Sequence, residues 1–175
     1  MTALVGRAAT LFERACREPL LDRSERERGP LLDDAAIRDL VPHRPPFLFI
    51  DRVTRLDAAN RVIVGRYDIR HGAAVLAGHF PGCPVWPGVL QVEAVGQAGL
   101  CLVRAIQGVQ EGAPGAMFHL TDVLSARFAT PVAPDLEVEI IACIVPDGLF
   151  SIVVGQCLQR GHVCSAAAVR GIEGA

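Results

Sequence analysis

His79-Phe80-Pro81-Gly82-Cys83-Pro84-Val85-Trp86-Pro87-Gly88-Val89-Leu90-Gln91-Val92-Glu93-Ala94-Val95-Gly96-Gln97 joins a histidine on a proline-stiffened loop to a glutamate in an otherwise apolar run. Pro81, Pro84 and Pro87 each fix φ. Pro87-Gly88 then opens a helix, because a proline in the first turn gives up an N–H that has no intrahelical partner. Val89, Leu90, Val92, Val95, Leu100, Leu102 and Val103 surround this helix with apolar groups, which predicts a core helix over residues 88–107. Glu93 and Gln97 interrupt the apolar surface on one side and, four residues apart, share a face. A buried carboxylate is costly without a partner or a task, so His79 and Glu93 read as an acid/base pair. The N–H groups of Gly88 and Val89, free at the helix start, are placed to hold a developing oxyanion with help from the helix dipole. Gly96, Ala98 and Gly99 are small enough for a sheet to wrap the helix closely.

Outward from this stretch, strands are predicted at residues 47–57 and 60–70 before the helix. Four more follow at 117–130, 134–145, 149–159 and 162–172, after turn signals at Gly108 and at Gly112, Pro114 and Gly115. Leu136, Val138, Ile140, Ala142 and Ile144 alternate with Glu137 and Glu139, the pattern of a half-buried strand. Long strands packed on one apolar helix define an α+β fold. Asp33 or Asp34 caps a short helix over residues 35–40 that ends before Pro42. Residues 1–34 form an extension. Val5, Ala8, Leu11, Phe12, Ala15 and Leu20 recur at helical spacing there, and residues 22–29, rich in charge, read as a solvated linker. Residues 35–175 read as the single folded domain.

The 175-residue chain is 51% hydrophobic, enough to bury the core of one domain. Its net charge of −2 and the lack of any long block of like charge argue against nucleic-acid binding. All 17 of its strongly basic residues are arginine, which excludes Schiff-base lysine chemistry and a phosphate-binding P-loop lysine. Cys16, Cys83, Cys101, Cys143, Cys157 and Cys164 form no CxxC pair, so neither a zinc site nor a redox motif is expected. Cys83 reads as a packing residue. No secretory leader and no uninterrupted membrane span is expected, which points to the cytoplasm.

Residues 78–97 resemble, almost without interruption, the Gly-His-Phe-Pro-Gly-x-Pro-Val-x-Pro-Gly-Val-Leu…Glu-Ala…Gln pattern of the 3-hydroxyacyl-[acyl-carrier-protein] dehydratases of type II fatty-acid synthesis. Residues 40–53 and Ala126-Arg127-Phe128 with Pro131-Val132 resemble two further segments of that family, so the likeness covers residues 36–172. The resemblance implies a hot-dog fold, a long central α-helix wrapped by a curved, mostly antiparallel sheet. It implies a homodimer with shared active sites, whose dimers can assemble in threes, and a substrate carried as a thioester on acyl carrier protein or coenzyme A. His79 would take the C2 proton, and Glu93 of the neighbouring chain would help the C3 hydroxyl leave as water. Neither a metal nor a nicotinamide cofactor is required.

Each residue also has a plainer reading. His79 can be a structural loop histidine and Glu93 a buried partner for an arginine. Gln97 supports the site by hydrogen bonding in this family, but it also suits an interface or a cap. His43 and Arg44 read as turn holders. Phe80 and Trp86 are expected against the substrate, although Trp86, which stands where the family usually carries methionine, can instead pack outward against the extension. Two other functions keep the same fold: an acyl thioesterase, with water as nucleophile, and a non-catalytic acyl-binding subunit.

Overall fold

The structure, a computed structural model, describes residues 4–26, 29–108 and 117–174. Helix α5 (Gly88–Gln107) runs through its centre, started by Pro87 at φ −58° and stopped by Gly108, which takes the left-handed conformation at φ +66° that a side chain would resist. Around it curls one six-stranded sheet. Its strands are β1 (Arg52–Asp57), β2 (Val62–Asp68), β3 (Met117–Phe128), β4 (Glu137–Asp147), β5 (Phe150–Gln159) and β6 (His162–Gly174). They lie in the order β1-β2-β4-β5-β6-β3, every neighbouring pair antiparallel. This is the α+β, hot-dog architecture expected. The predicted turn at residues 112–115 lies outside the described residues.

Helix and sheet meet by interlocking small and branched residues. A Cβ on Gly99 would stand 2.4 Å from Val153 of β5, and one on Gly155 would stand 2.6 Å from Val95 of α5, so each glycine seats the other element's valine. Val138, Ile140, Ala142, Val153, Ala167 and Val169 face this helix, as the alternation in β4 requires. No membrane span was expected, yet α5 is by itself long and apolar enough for one; most of it is buried within the protein's own core.

The other face of the sheet is apolar as well. Helix α1 (Gly6–Ala15) lays Ala8, Phe12 and Ala15 on Val62, Val64, Ile141, Ile152, Val154, Ala166 and Ala168. Gln156 of β5, fully buried, fastens the exit of α1: its Oε1 accepts from Leu20 N at 2.6 Å, and its Nε2 donates to Ala15 O and Glu18 O at 2.7 and 3.1 Å.

In the charged segment that follows, Asp22, Arg23 and Ser24 are exposed, as a solvated linker would have them, but Arg26 is not. The segment forms a single turn, α2 (Arg23–Arg26), and Arg26, 6% exposed, enters an ion-pair network. Arg26 pairs with Glu139, Arg66 bridges Glu139 and Glu137, and Arg52 pairs with Glu137. Partners that neutralise a buried guanidinium are what make its burial tolerable. They come from strands far along the chain.

Two local expectations shift. The apolar run Phe47-Leu48-Phe49-Ile50 is not strand; Phe47 and Phe49 bond instead to the side chain of Gln97 on α5, and β1 starts only at Arg52. A short helix α4 (Ala73–Gly78) follows β2 after a 3-10 turn at Ile69–Gly72, an alanine-rich piece that the strand reading passed over. Helix α3 (Asp34–Leu40) forms as expected, with Asp33 as its cap accepting from Ala36 N at 3.0 Å.

Candidate active site

His79 caps the C-terminus of α4, its N–H donating to Leu76 O at 3.1 Å. The chain then makes a tight turn in which Phe80 and Cys83 exchange backbone hydrogen bonds, and Val85 N returns to His79 O at 3.0 Å. His79 Nδ1 lies 3.1 Å from Val85 O. A carbonyl can only accept, so Nδ1 carries the hydrogen and donates it, and in the neutral ring Nε2 is left with a free lone pair. That is the arrangement of a base.

Glu93 lies on the partly exposed side of α5. Its Oε1 accepts from Gln97 Nε2 at 2.9 Å and stands 3.4 Å from Nε2 of His43. Gln97, 1% exposed, also donates to Phe47 O and accepts from Phe49 N, both at 2.9 Å. It ties the segment entering β1 to the helix. The turn-holder reading of Arg44 fits, since its guanidinium donates to Val41 O and His43 O. The turn-holder reading of His43 misses its contact with Glu93. Proximity across 50 residues leaves no local pattern to read. His79 and Glu93 share no hydrogen bond or ion pair within the protomer.

At the start of α5, Phe128, at the end of β3, lies against Gly88 so closely that a Cβ there would come within 2.8 Å of its ring. Val89 is 74% exposed and Phe80 56%. Trp86 is buried in the core, where its ring meets Phe49 and Tyr67 at 6.0 and 5.7 Å and its carbonyl accepts from Gln91 Nε2. Outward packing of Trp86 against the extension is thereby overturned, for α1 covers the opposite face of the sheet. Cys83, expected to pack, is exposed on the His79 loop. Burial pushes the thiols of Cys101 and Cys157 up to about 12 and that of Cys143 up to about 11, which leaves them unreactive. Among the described residues no three His, Cys, Asp or Glu side chains gather to hold a metal ion.

Among the described residues, the β3 edge of the sheet, beside this site, is unpaired. Residues 31–32 bond to Val53 along the outer side of β1, whereas β3 pairs only with β6 and exposes Leu120, Val123 and Phe128. An uncovered, apolar edge strand is a template for pairing with another chain.

Residues 41–157 match the FabA-like domain. Over 142 residues the chain is 36% identical to the 3-hydroxyacyl-[acyl-carrier-protein] dehydratase FabZ of Xanthomonas campestris pv. campestris (strain B100), an alignment spanning 79% of this chain and 90% of that protein. With FabZ of Anaeromyxobacter sp. (strain Fw109-5) it shares 36% over 122 residues, 67% of this chain and 77% of the relative. Among solved structures, the dehydratase heterocomplex ApeI:P from Xenorhabdus doucetiae superposes with a TM-score of 0.66 at 16% identity, covering 79% of this chain and 91% of that one. A putative thioesterase from Ralstonia eutropha JMP134 gives 0.53 at 14% identity, covering 68% and 81%; both structures share the fold alone. By the extent of the domain match and the identity to its FabZ relatives, the chain belongs to the FabA-like family of 3-hydroxyacyl-[acyl-carrier-protein] dehydratases.

Proposed function

We propose that the protein dehydrates (3R)-3-hydroxyacyl thioesters on acyl carrier protein to trans-2-enoyl thioesters, as a cytoplasmic homodimer whose sites each combine His79 of one protomer with Glu93 of the other. The observation that carries this reading is the contact of His79 Nδ1 with Val85 O, which places the hydrogen on Nδ1 and leaves Nε2 of the neutral ring to act as the base. That nitrogen takes the C2 proton, and the charge developing on the thioester oxygen is met by the N–H groups of Gly88 and Val89. Glu93 gives its proton to the C3 hydroxyl, the C3–O bond breaks, and water leaves. Gln97 orients Glu93, while Phe80 and Trp86 supply apolar walls for the acyl chain. Pairing of two copies along β3 is supported by its bare edge and by Phe128, which joins that edge to the start of α5.

Mass spectrometry of the purified protein incubated with a 3-hydroxyacyl thioester on acyl carrier protein should show loss of one water with the thioester intact. Release of a free acid would instead establish the thioesterase, and an unchanged substrate the non-catalytic subunit.

If Trp86 bounds the acyl site, Trp86→Met lengthens it. One methylene in an apolar pocket is worth about 10-fold or more in discrimination, so the kcat/KM ratio of long to short acyl chains should rise by about that factor. A folded Trp86→Met enzyme with the wild-type chain-length profile would assign Trp86 to the core alone.

A further inference from the structure

His43 sits in the proline-rich loop ahead of β1, and its imidazole reaches across to α5 beside Glu93. Its side chain is 25% exposed and stacks on Phe47 with ring centroids 6.5 Å apart. Its Nδ1 is enclosed and meets no hydrogen-bond partner. An imidazolium would carry an N–H at that nitrogen, and a buried donor without an acceptor is costly; a bare lone pair is the cheaper occupant. The hydrogen therefore belongs on Nε2, the atom 3.4 Å from Glu93 Oε1. Within the protomer the charged groups acting on His43 are Glu93 on α5 and Arg44 in its own loop. Burial lowers the His43 pKa, Glu93 works against that shift and Arg44 adds to it, so the ring is neutral at neutral pH.

We infer that His43 is a positioning residue for Glu93: with Gln97 it directs two N–H donors at Oε1, which reserves Oε2 for the proton delivered to the substrate hydroxyl. This rests on the dehydratase reading above. A carboxyl group whose one oxygen already faces two donors is protonated at the other. When the C3–O bond breaks, its electron pair leaves with the oxygen. The Oε2 proton completes the water, and His79 retains the C2 proton. The charge left on Glu93 then faces the same two donors. Because Gln97 also bonds to Phe47 and Phe49, the loop that carries His43 is anchored to α5 and the aim is kept between turnovers.

The test compares His43→Ala with His43→Gln, whose carboxamide can place an N–H near the position of Nε2. Removing the donor that stands 3.4 Å from Oε1 and meets the charge developing on Glu93 should lower kcat about 10–100-fold in His43→Ala with KM little changed, and His43→Gln should recover most of it. Wild-type kcat in His43→Ala, or equal impairment of the two variants, would overturn the role. A readout independent of turnover is the 15N NMR spectrum of the His43 ring. It should show hydrogen on Nε2, as the enclosed, partnerless Nδ1 and the approach of Nε2 to Glu93 require. Hydrogen on Nδ1 would sink the contact. If the wild type forms no enoyl thioester, the dehydratase reading fails while the spectrum still decides whether His43 addresses Glu93.

Discussion

His79→Ala and Glu93→Gln each abolish dehydration, with an expected loss of about 10²–10⁴-fold per positioned acid or base, and an equimolar mixture of the two dead enzymes regains activity. The recovery follows from where the groups stand. Within one protomer His79 bonds to Val85 and Glu93 to Gln97, and nothing joins them to each other. In a mixed dimer, one site draws its histidine from the Glu93→Gln chain and its glutamate from the His79→Ala chain, and so is intact. The opposite site has neither. With random exchange, half of the dimers are mixed and each has one good site, so roughly a quarter of wild-type activity returns. Steady-state assay after verified subunit exchange checks this. An inactive mixture would place both groups of a site in one chain.

Phe12→Ala should cost about 3–5 kcal/mol, a large part of the stability of an ordinary domain. Phe12 is 4% exposed in the contact between α1 and the outer sheet face. For a chain of this length the melting temperature should drop by roughly 6–20 °C. Scanning calorimetry reads it directly. Since His79 and Glu93 lie on the other side of the sheet, kcat at a temperature where the variant is folded should be unchanged. A melting point within a degree or two of wild type would mean that the extension is a passenger.

What could be read from the residues followed the range over which they act. Helix α5 came out with its bounds at 88 and 107 because Pro87 and Gly108 punctuate it locally, and the strands β4 to β6 were legible from alternation and from the turns between them. The loop with His79 and the face with Glu93 and Gln97 are local too. The contact of His43 with Glu93 was not legible because its surroundings, Pro42 and Pro45-Pro46, say only that the chain turns, while Glu93 lies on a helix 50 residues away. Arg26 was misread for the same reason: a charged run looks solvated until Glu139, 113 residues further on, is brought beneath it. A signal was nonetheless present. Val64, Ile141, Val154 and Ala168 make strands apolar on both faces, which an antiparallel sheet with one wet side has no use for.

The clasp formed by Gln156 sets an order on synthesis. Leu20 and Gln156 are 136 residues apart, so at ordinary translation rates α1 leaves the ribosome on the order of ten seconds before its receptor exists. Ten residues are too few to hold a helix alone in water. This segment, made before its receptor, therefore waits as loose chain until β4, β5 and β6 have paired, and its docking follows their pairing. Until then the nascent protein carries an uncovered apolar sheet face, and the interval in which it needs protection from its neighbours ends when Phe12 is seated.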